Sequence, residues 1–170
     1  MSRTREEETQ AEVLVEWINS FNISHHCKHI TDLSSGITLF EVLADIDSTW
    51  FKLIRSTDVG DNWVLKVNNL KKLDKLLSRY ITEVLGEDHK KLPAVDLTKI
   101  AKDANFRELH KLCKLVLYVA VHCSRNQIYI EKIQELSEEK QHALMLNIHE
   151  VRKARFPFFQ EKKYSYCYCC

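Results

Sequence analysis

Apolar residues recur along most of this chain at spacings of three and four, the period of amphipathic α-helices. The first apolar stripe contains Val13, Leu14, Trp17, Ile18 and Phe21. A second stripe covers 37–46, and a third begins near Asp61 and continues to Val84. Gly86 follows the third stripe, and a glycine is a natural helix stop. No segment alternates as a half-buried strand does, so the pattern predicts an all-α fold.

The second half of the chain is organised around one strongly apolar segment. Residues 87–103 are polar and include a proline, so we expect a loop with one helical turn near Leu97. Asn105 and Glu108 have the spacing of a capping box, which predicts the start of a helix. That helix is apolar nearly all round from 112 to 121, and such a helix belongs at the centre of a domain.

Two further helices are predicted after this central one. Ser124 and Gln127 repeat the capping-box spacing and predict a helix that runs to Leu136. Ser137 is a candidate cap for a last helix, whose acidic first turn and basic last turn suit the helix dipole. The whole pattern predicts a bundle of about seven or eight helices.

Composition supports a helical domain and narrows the classes of function. The 170 residues include only three glycines and two prolines, and so few helix breakers favour helix throughout. The 25 basic and 24 acidic residues leave a formal net charge of +1, which predicts no nucleic-acid partner. The most apolar run, 112–123, contains a lysine and is shorter than the roughly 20 residues of a membrane span. We therefore expect no transmembrane segment.

No pattern in the sequence indicates a catalytic, cofactor or metal site. A Gly-rich phosphate loop, a zincin motif and a nucleophile elbow are all missing, so we expect no enzyme. The segment 25–29 holds three histidines and a cysteine, but they lie too close together for paired zinc ligands. A polar loop is the better interpretation of that segment. Trp17 and Trp63 lie on apolar faces and are expected to anchor the core.

The character of the chain changes at Phe156. The segment 156–170 has no helical period and is rich in aromatic residues and cysteine, so we expect a disordered tail after a domain that covers 9–155. Its terminal cysteines suggest lipidation, although an arbitrary end from splicing or misprediction is the favoured explanation. The six cysteines of the chain form no evenly spaced framework, and a reducing, cytoplasmic setting fits them best.

Several runs resemble a known family. Residues 32–43 read DLSSGITLFEVL, which resembles the D-L-x-x-G-x-x-L-x-x-x-L signature of calponin-homology folds. Taken with 59–72 (VGDNWVLKVNNLKK), 109–123 and 127–133, they make roughly residues 9–152 similar to the N-terminal domain of the Hook family. The resemblance implies a calponin-homology-like helical bundle with an extra C-terminal helix.

The same resemblance implies a non-catalytic adaptor. In Hook proteins this module engages a helix of the dynein light intermediate chain, and a coiled coil beyond it contacts dynein, dynactin and cargo. Family members link the motor to endosomal vesicles and associate with microtubules, so we expect a cytoskeleton-associated protein. No heptad seam is sustained in this chain, and we therefore expect a monomer. A domain that binds the light intermediate chain without a coiled coil would act as a decoy of full-length adaptors.

The last predicted helix carries the candidate site for a partner helix. One side of it holds Gln141, Leu144, Met145 and Ile148, at about 100° per residue. If the opposite side packs on the domain, this side is left to receive an amphipathic helix. Periodicity alone favours a core-facing stripe, but Gln141 and Ile148 match the positions that Hook proteins use for light intermediate chain binding. We therefore predict a partner-helix site on this side.

The third predicted helix carries a second candidate surface, for microtubules. Its basic residues, against one internal aspartate, are Lys66, Lys71, Lys72, Lys75 and Arg79. A basic face attracts the acidic surface of a microtubule, and the attraction weakens as salt rises. A solvated face that keeps the protein soluble explains the same residues and is favoured. Direct microtubule binding through the helix 62–80 is therefore the alternative function.

Overall fold

Helices make up all the regular secondary structure of the described residues. The computed structural model describes 3–53 and 59–155, apart from the side chain of Arg155, and contains no strand there. The expected tail 156–170 lies outside the described residues. The α-helices are α1 (Arg5–Asn19), α2 (Ile37–Ile46), α3 (Trp63–Glu83), α4 (Leu97–Asp103), α5 (Phe106–His122), α6 (Asn126–Gln134) and α7 (Glu138–Arg155). Two 3₁₀ helices, Ile30–Ser35 and His89–Lys91, complete the helices of the described ranges, and the predicted all-α fold is confirmed.

The helix α5 lies at the centre of the bundle, as its all-round apolar character predicts. From Leu109 to Ala120 every residue is buried except Lys111 and Lys114, which are half-buried. Helices α2, α4, α6 and α7 all contact α5, and the first 3₁₀ helix does so as well. Because one buried helix supports most of the others, α5 holds both α6 and α7 in place.

The helix α1 begins earlier than its apolar stripe indicates. Thr4 forms a capping box with Glu7: its hydroxyl accepts from the Glu7 amide at 3.1 Å, and its own amide donates to Glu7 Oε2 at 2.9 Å. The first two turns are polar, so periodicity misses them. Further along, Trp17 is completely buried and meets Phe21 edge to face at 4.9 Å between ring centroids, which confirms its predicted place in the core.

Gly36 explains the glycine of the motif in 32–43. It has φ of +77°, a left-handed conformation that L side chains rarely adopt, and it joins the first 3₁₀ helix to α2. A Cβ atom at this position would lie 3.2 Å from Leu70 Cδ2 of α3. The backbone turn and the close approach of α3 therefore both favour glycine.

The start of α5 confirms half of the predicted capping box. The Asn105 side chain accepts from the Glu108 amide at 3.2 Å. The Glu108 carboxylate does not return to Asn105. It accepts instead from the Asp96 amide at 2.7 Å and pairs with Lys111 at 2.8 Å. Glu108 thus connects the start of α4 to α5, a contact that local spacing does not reveal.

The start of α6 differs from the prediction. No side chain caps this helix, which begins at Asn126 and not after a Ser124 cap. The chain turns tightly, with the Asn126 amide donating to the Cys123 carbonyl at 3.1 Å, and this places Ser124 in the turn. The helix ends at Gln134, two residues before the predicted end at Leu136.

The predicted core position of Trp63 is wrong. Its side chain is 44% exposed, and the ammonium of Lys102 in α4 lies 4.3 Å from its ring centroid. Trp63 is the first residue of α3, whereas the buried face of that helix begins one turn later at Val67. A tryptophan at this position covers the α3–α4 junction with a cation–π contact and does not enter the core.

Candidate functional site

The helix α7 packs against three others, α1, α5 and α6. Its buried residues are Ala143, Leu144, Asn147, Ile148 and Val151. Leu144 is completely buried in the core, so it cannot contact a partner in this conformation, and its predicted place in the partner site is not supported. The stripe predicted on α7 is thus divided between the core and the surface.

An open cleft of about 330 Å³ lies where α5, α6 and α7 meet. Apolar side chains form most of its lining: Val121, Ile130, Ile133, Met145 and Ile148. Polar groups border it: His122, Gln134, Gln141 and Arg152. An apolar lining with a few polar groups at its edge is typical of binding sites on proteins.

One stripe of α7 forms a wall of this cleft. Gln141, Met145, Ile148 and Arg152 follow one another at spacings of four, three and four, so they share one face of the helix. Met145 is 38% exposed, whereas Ile148 is only 6% exposed but still lines the cleft. From Gln141 to Arg152 the helix rises about 16 Å, roughly three turns. Three of the four residues predicted for the partner site are therefore brought together here.

Gln141 closes one end of the cleft by binding the end of α6. Its Nε2 donates to the Leu136 carbonyl at 2.7 Å and to the Gln134 carbonyl at 3.1 Å. Since both amide hydrogens are engaged, the Oε1 atom is the group that remains to accept a hydrogen bond from a bound molecule. Gln141 therefore both orders the cleft and offers it an acceptor.

His122 and Arg152 form the opposite end. The Nδ1 atom of His122 is 2.7 Å from the Tyr118 carbonyl, which can only accept, so Nδ1 carries the proton. Its Nε2 then accepts from Arg152 Nη2 at 3.0 Å, which joins α5 to α7. The guanidinium puts a positive charge at this end of the cleft. No local pattern in the sequence indicates this pair, because its two members are 30 residues apart.

A buried polar pair lies on the other side of α7. His110 of α5 and Asn147 of α7 are 3.0 Å apart, from Nε2 to Oδ1, and both are buried. Burial lowers the pKa of His110 to about 4, with a smaller contribution from nearby Lys114, so the imidazole is neutral at neutral pH. No sequence signal indicated this pair.

The basic surface on α3 contains fewer residues in the structure than the five that were predicted. Lys71, Lys72 and Lys75 are exposed, whereas Lys66 is half-buried. Arg79 is engaged with Glu83 in two contacts, of 2.8 and 3.2 Å. Within 3–53 and 59–155, no carboxylate lies within ion-pair distance of the three exposed lysines. The basic surface therefore consists of these three lysines.

The histidine-rich segment 25–29 is a loop held by hydrogen bonds. Asn19 Nδ2 donates to the Cys27 carbonyl at 2.7 Å, and its Oδ1 accepts from the Cys27 amide at 2.9 Å. Cys27 is buried, which raises the pKa of its thiol. Among the described residues no group of three or more His, Cys, Asp or Glu side chains is arranged to hold a metal ion. In the same part of the chain, no helix has the length and apolarity needed to cross a membrane.

The sequence of this chain is similar to a known domain and to known proteins. The HOOK domain model matches residues 9–150. Protein Hook homolog 1 of Danio rerio is 39% identical over 144 residues, which cover 82% of this chain and 20% of that protein. Protein Hook homolog 3 of Homo sapiens is 35% identical over 151 residues, which cover 86% of this chain and 21% of that protein. The chain thus spans about one fifth of the length of these relatives.

A solved structure supports the same assignment. The solution structure of the conserved domain of HOOK1 protein from mouse has a TM-score of 0.78 and 33% sequence identity, covering 91% of this chain and 96% of that domain. The fold is therefore the calponin-homology-like helical bundle that the motif in 32–43 predicts. With the domain match, the full-length relatives and this fold in agreement, the chain belongs to the Hook family.

Proposed function

We propose that this domain is a non-catalytic adaptor that holds an amphipathic helix of the dynein light intermediate chain in the cleft between α5, α6 and α7. The observation that carries the proposal is the cleft itself, which is open, largely apolar and lined by Gln141, Met145 and Ile148. Gln141 and Ile148 are the positions that family resemblance associates with this partner. The proposal extends to a cytoplasmic protein that links the motor to vesicular cargo.

The dimensions of the cleft suit a short helix. An amphipathic helix inserts anchors at spacings of three and four, and the wall formed by α7 offers the same spacing over about three turns. Each large apolar side chain that becomes fully buried contributes roughly 1.5–3 kcal/mol. Ordering the partner helix opposes this gain, so a few anchors support a reversible complex and not a permanent one.

Met145 offers the cleanest test, because it is exposed and its substitution leaves the core intact. In Met145→Glu a charge is placed among apolar lining residues, and we expect at least a tenfold loss of affinity for a light intermediate chain helix peptide. His149→Glu adds the same charge at an exposed position of α7 outside the cleft lining and serves as the matched control. Fluorescence anisotropy measures binding, and circular dichroism confirms that both variants are folded.

A second variant makes the test independent of one side chain. Gln141→Ala removes the hydrogen bonds at the end of the cleft and should also weaken binding. The proposal is refuted if Met145→Glu and Gln141→Ala both bind the peptide as tightly as the unmodified domain does.

The three exposed lysines of α3 support direct microtubule binding as a second candidate function. They lie on one helix face, and no described carboxylate neutralises them. Changing Lys71, Lys72 and Lys75 together to Glu should abolish co-sedimentation with microtubules, and added salt should weaken the binding of the unmodified domain. Co-sedimentation that does not depend on salt would rule out this surface.

A further inference from the structure

One polar side chain interrupts the apolar stripe through which α7 packs against the core. Asn147 is completely buried, between Leu144 and Val151 along the helix. Its Oδ1 lies 3.0 Å from His110 Nε2 of α5, and its Nδ2 donates to the Gln10 carbonyl of α1 at 3.4 Å. The same Nδ2 donates to the Ala143 carbonyl of α7 at 3.1 Å. A single carboxamide thus joins three helices.

The hydrogen-bond partners of Asn147 fix the orientation of its side-chain amide and the tautomer of His110. Both carbonyls that face Nδ2 can only accept, so the amide orientation is fixed. The Oδ1 atom therefore needs a donor, and His110 supplies it as the neutral tautomer with its proton on Nε2. Asn147 matches its surroundings in one orientation only.

The apolar members of the stripe do not define one position along the helix. Leu144, Ile148 and Val151 are aliphatic residues at spacings of four and three, so a shift of α7 by one turn brings one of them to the place of another. Apolar contacts are not directional and tolerate such a replacement. A buried hydrogen bond does not tolerate such a shift, because the shift leaves its donor and its acceptor unsatisfied.

We infer that Asn147, through His110, is a positioning residue that sets the register of α7 and so places Met145 and Ile148 at the cleft. A single buried polar residue in an apolar helix interface sets register in the same way in coiled coils. A one-turn slip moves α7 by about 5.4 Å and displaces Ile148 relative to Ile133 of α6, which lines the same cleft. The expected effect on partner binding rests on the proposed function, but the register of α7 can be measured without a partner.

The test replaces the polar pair by apolar residues in the double variant His110→Leu, Asn147→Leu. We expect it to remain folded, with a midpoint of thermal unfolding no lower than that of the unmodified domain, because the buried donor and its acceptor are removed together. In the unmodified domain we expect nuclear Overhauser effects between the methyl groups of Ile148 and Ile133, which line the same cleft, and in the double variant we expect these effects to weaken or disappear. Affinity for a synthetic light intermediate chain helix peptide should fall at least tenfold.

The variant His110→Gln is the matched control, since its side-chain amide still donates to Asn147 Oδ1. It should keep both the methyl contacts and the affinity. If the leucine pair prevents folding, Asn147→Ala carries the same test without added bulk. Unchanged methyl contacts in a folded apolar variant overturn the inference, even where its unfolding midpoint falls. Failure of the unmodified domain to bind the peptide refutes the proposed function instead and leaves the methyl measurement decisive for register.

Discussion

Acidification from pH 7 to pH 5 should destabilise this domain chiefly through His110. The imidazole is buried between α5 and α7, where its neutral form donates to Asn147 Oδ1. Charged groups on both helices and on α1 face it: Lys114 disfavours the imidazolium, whereas Glu150 and Glu7 favour it. Burial outweighs these effects, and the pKa of His110 falls from 6.5 to about 4 in the folded state.

The direction of this pH effect follows from the number of protons that the folded and unfolded states bind. Between pH 6.5 and about 4 the unfolded chain holds a proton on this imidazole that the folded chain does not, so stability falls as the pH falls through that window. One pKa unit corresponds to about 1.4 kcal/mol, which gives a maximal loss of about 3 kcal/mol. From pH 7 to pH 5 the expected loss in free energy of unfolding is about 2 kcal/mol, or about 4–8 °C in Tm.

The assay compares urea unfolding at pH 7 and pH 5 in the unmodified domain and in His110→Gln. The glutamine keeps a donor for Asn147 but does not titrate, so its stability should lose about 2 kcal/mol less between the two pH values. His149→Gln, at an exposed histidine of the same helix α7, should keep the full loss. Equal losses in His110→Gln and in the unmodified domain would show that His110 does not titrate between these limits.

Three other predictions follow from burial and backbone geometry. Leu144→Ala should lower the free energy of unfolding by about 2–5 kcal/mol in urea titration, while the folded variant keeps its affinity for the partner peptide because Leu144 does not line the cleft. Gly36→Ala should cost at least about 1–2 kcal/mol by the same measurement, since it strains a left-handed residue and crowds Leu70. Arg79→Ala should leave microtubule co-sedimentation unchanged, because that side chain is engaged with Glu83; a clear loss would restore Arg79 to the basic surface.

Helix positions were largely predictable because their signals are local. The apolar period and the glycine at 36 place α2, and the continuous apolar run places α5 at the centre of the bundle. The start of α1 was missed because a cap at Thr4 precedes two polar turns, and the start of α6 because a backbone turn, not a side-chain cap, begins that helix. Both misses occur where periodicity carries no information.

The candidate cleft was predictable only in part. Family resemblance and helical spacing together selected Gln141, Met145 and Ile148, which the structure does bring to one wall. They also selected Leu144, whose side chain is enclosed in the core. Helical spacing gives the angle between two residues about the helix axis, but it does not say where the neighbouring helices are.

Short-range period and motif are enough to show that the chain is helical, which segments form most of its helices, and which family it resembles. Which side of α7 faces the core, and that α5 and α6 leave a cleft beside it, became clear only from the packing of the helices. It alone showed that His122 meets Arg152 and that His110 meets Asn147, across 30 and 37 residues. Such contacts depend on how three helices pack at once, and local spacing contains no record of that arrangement.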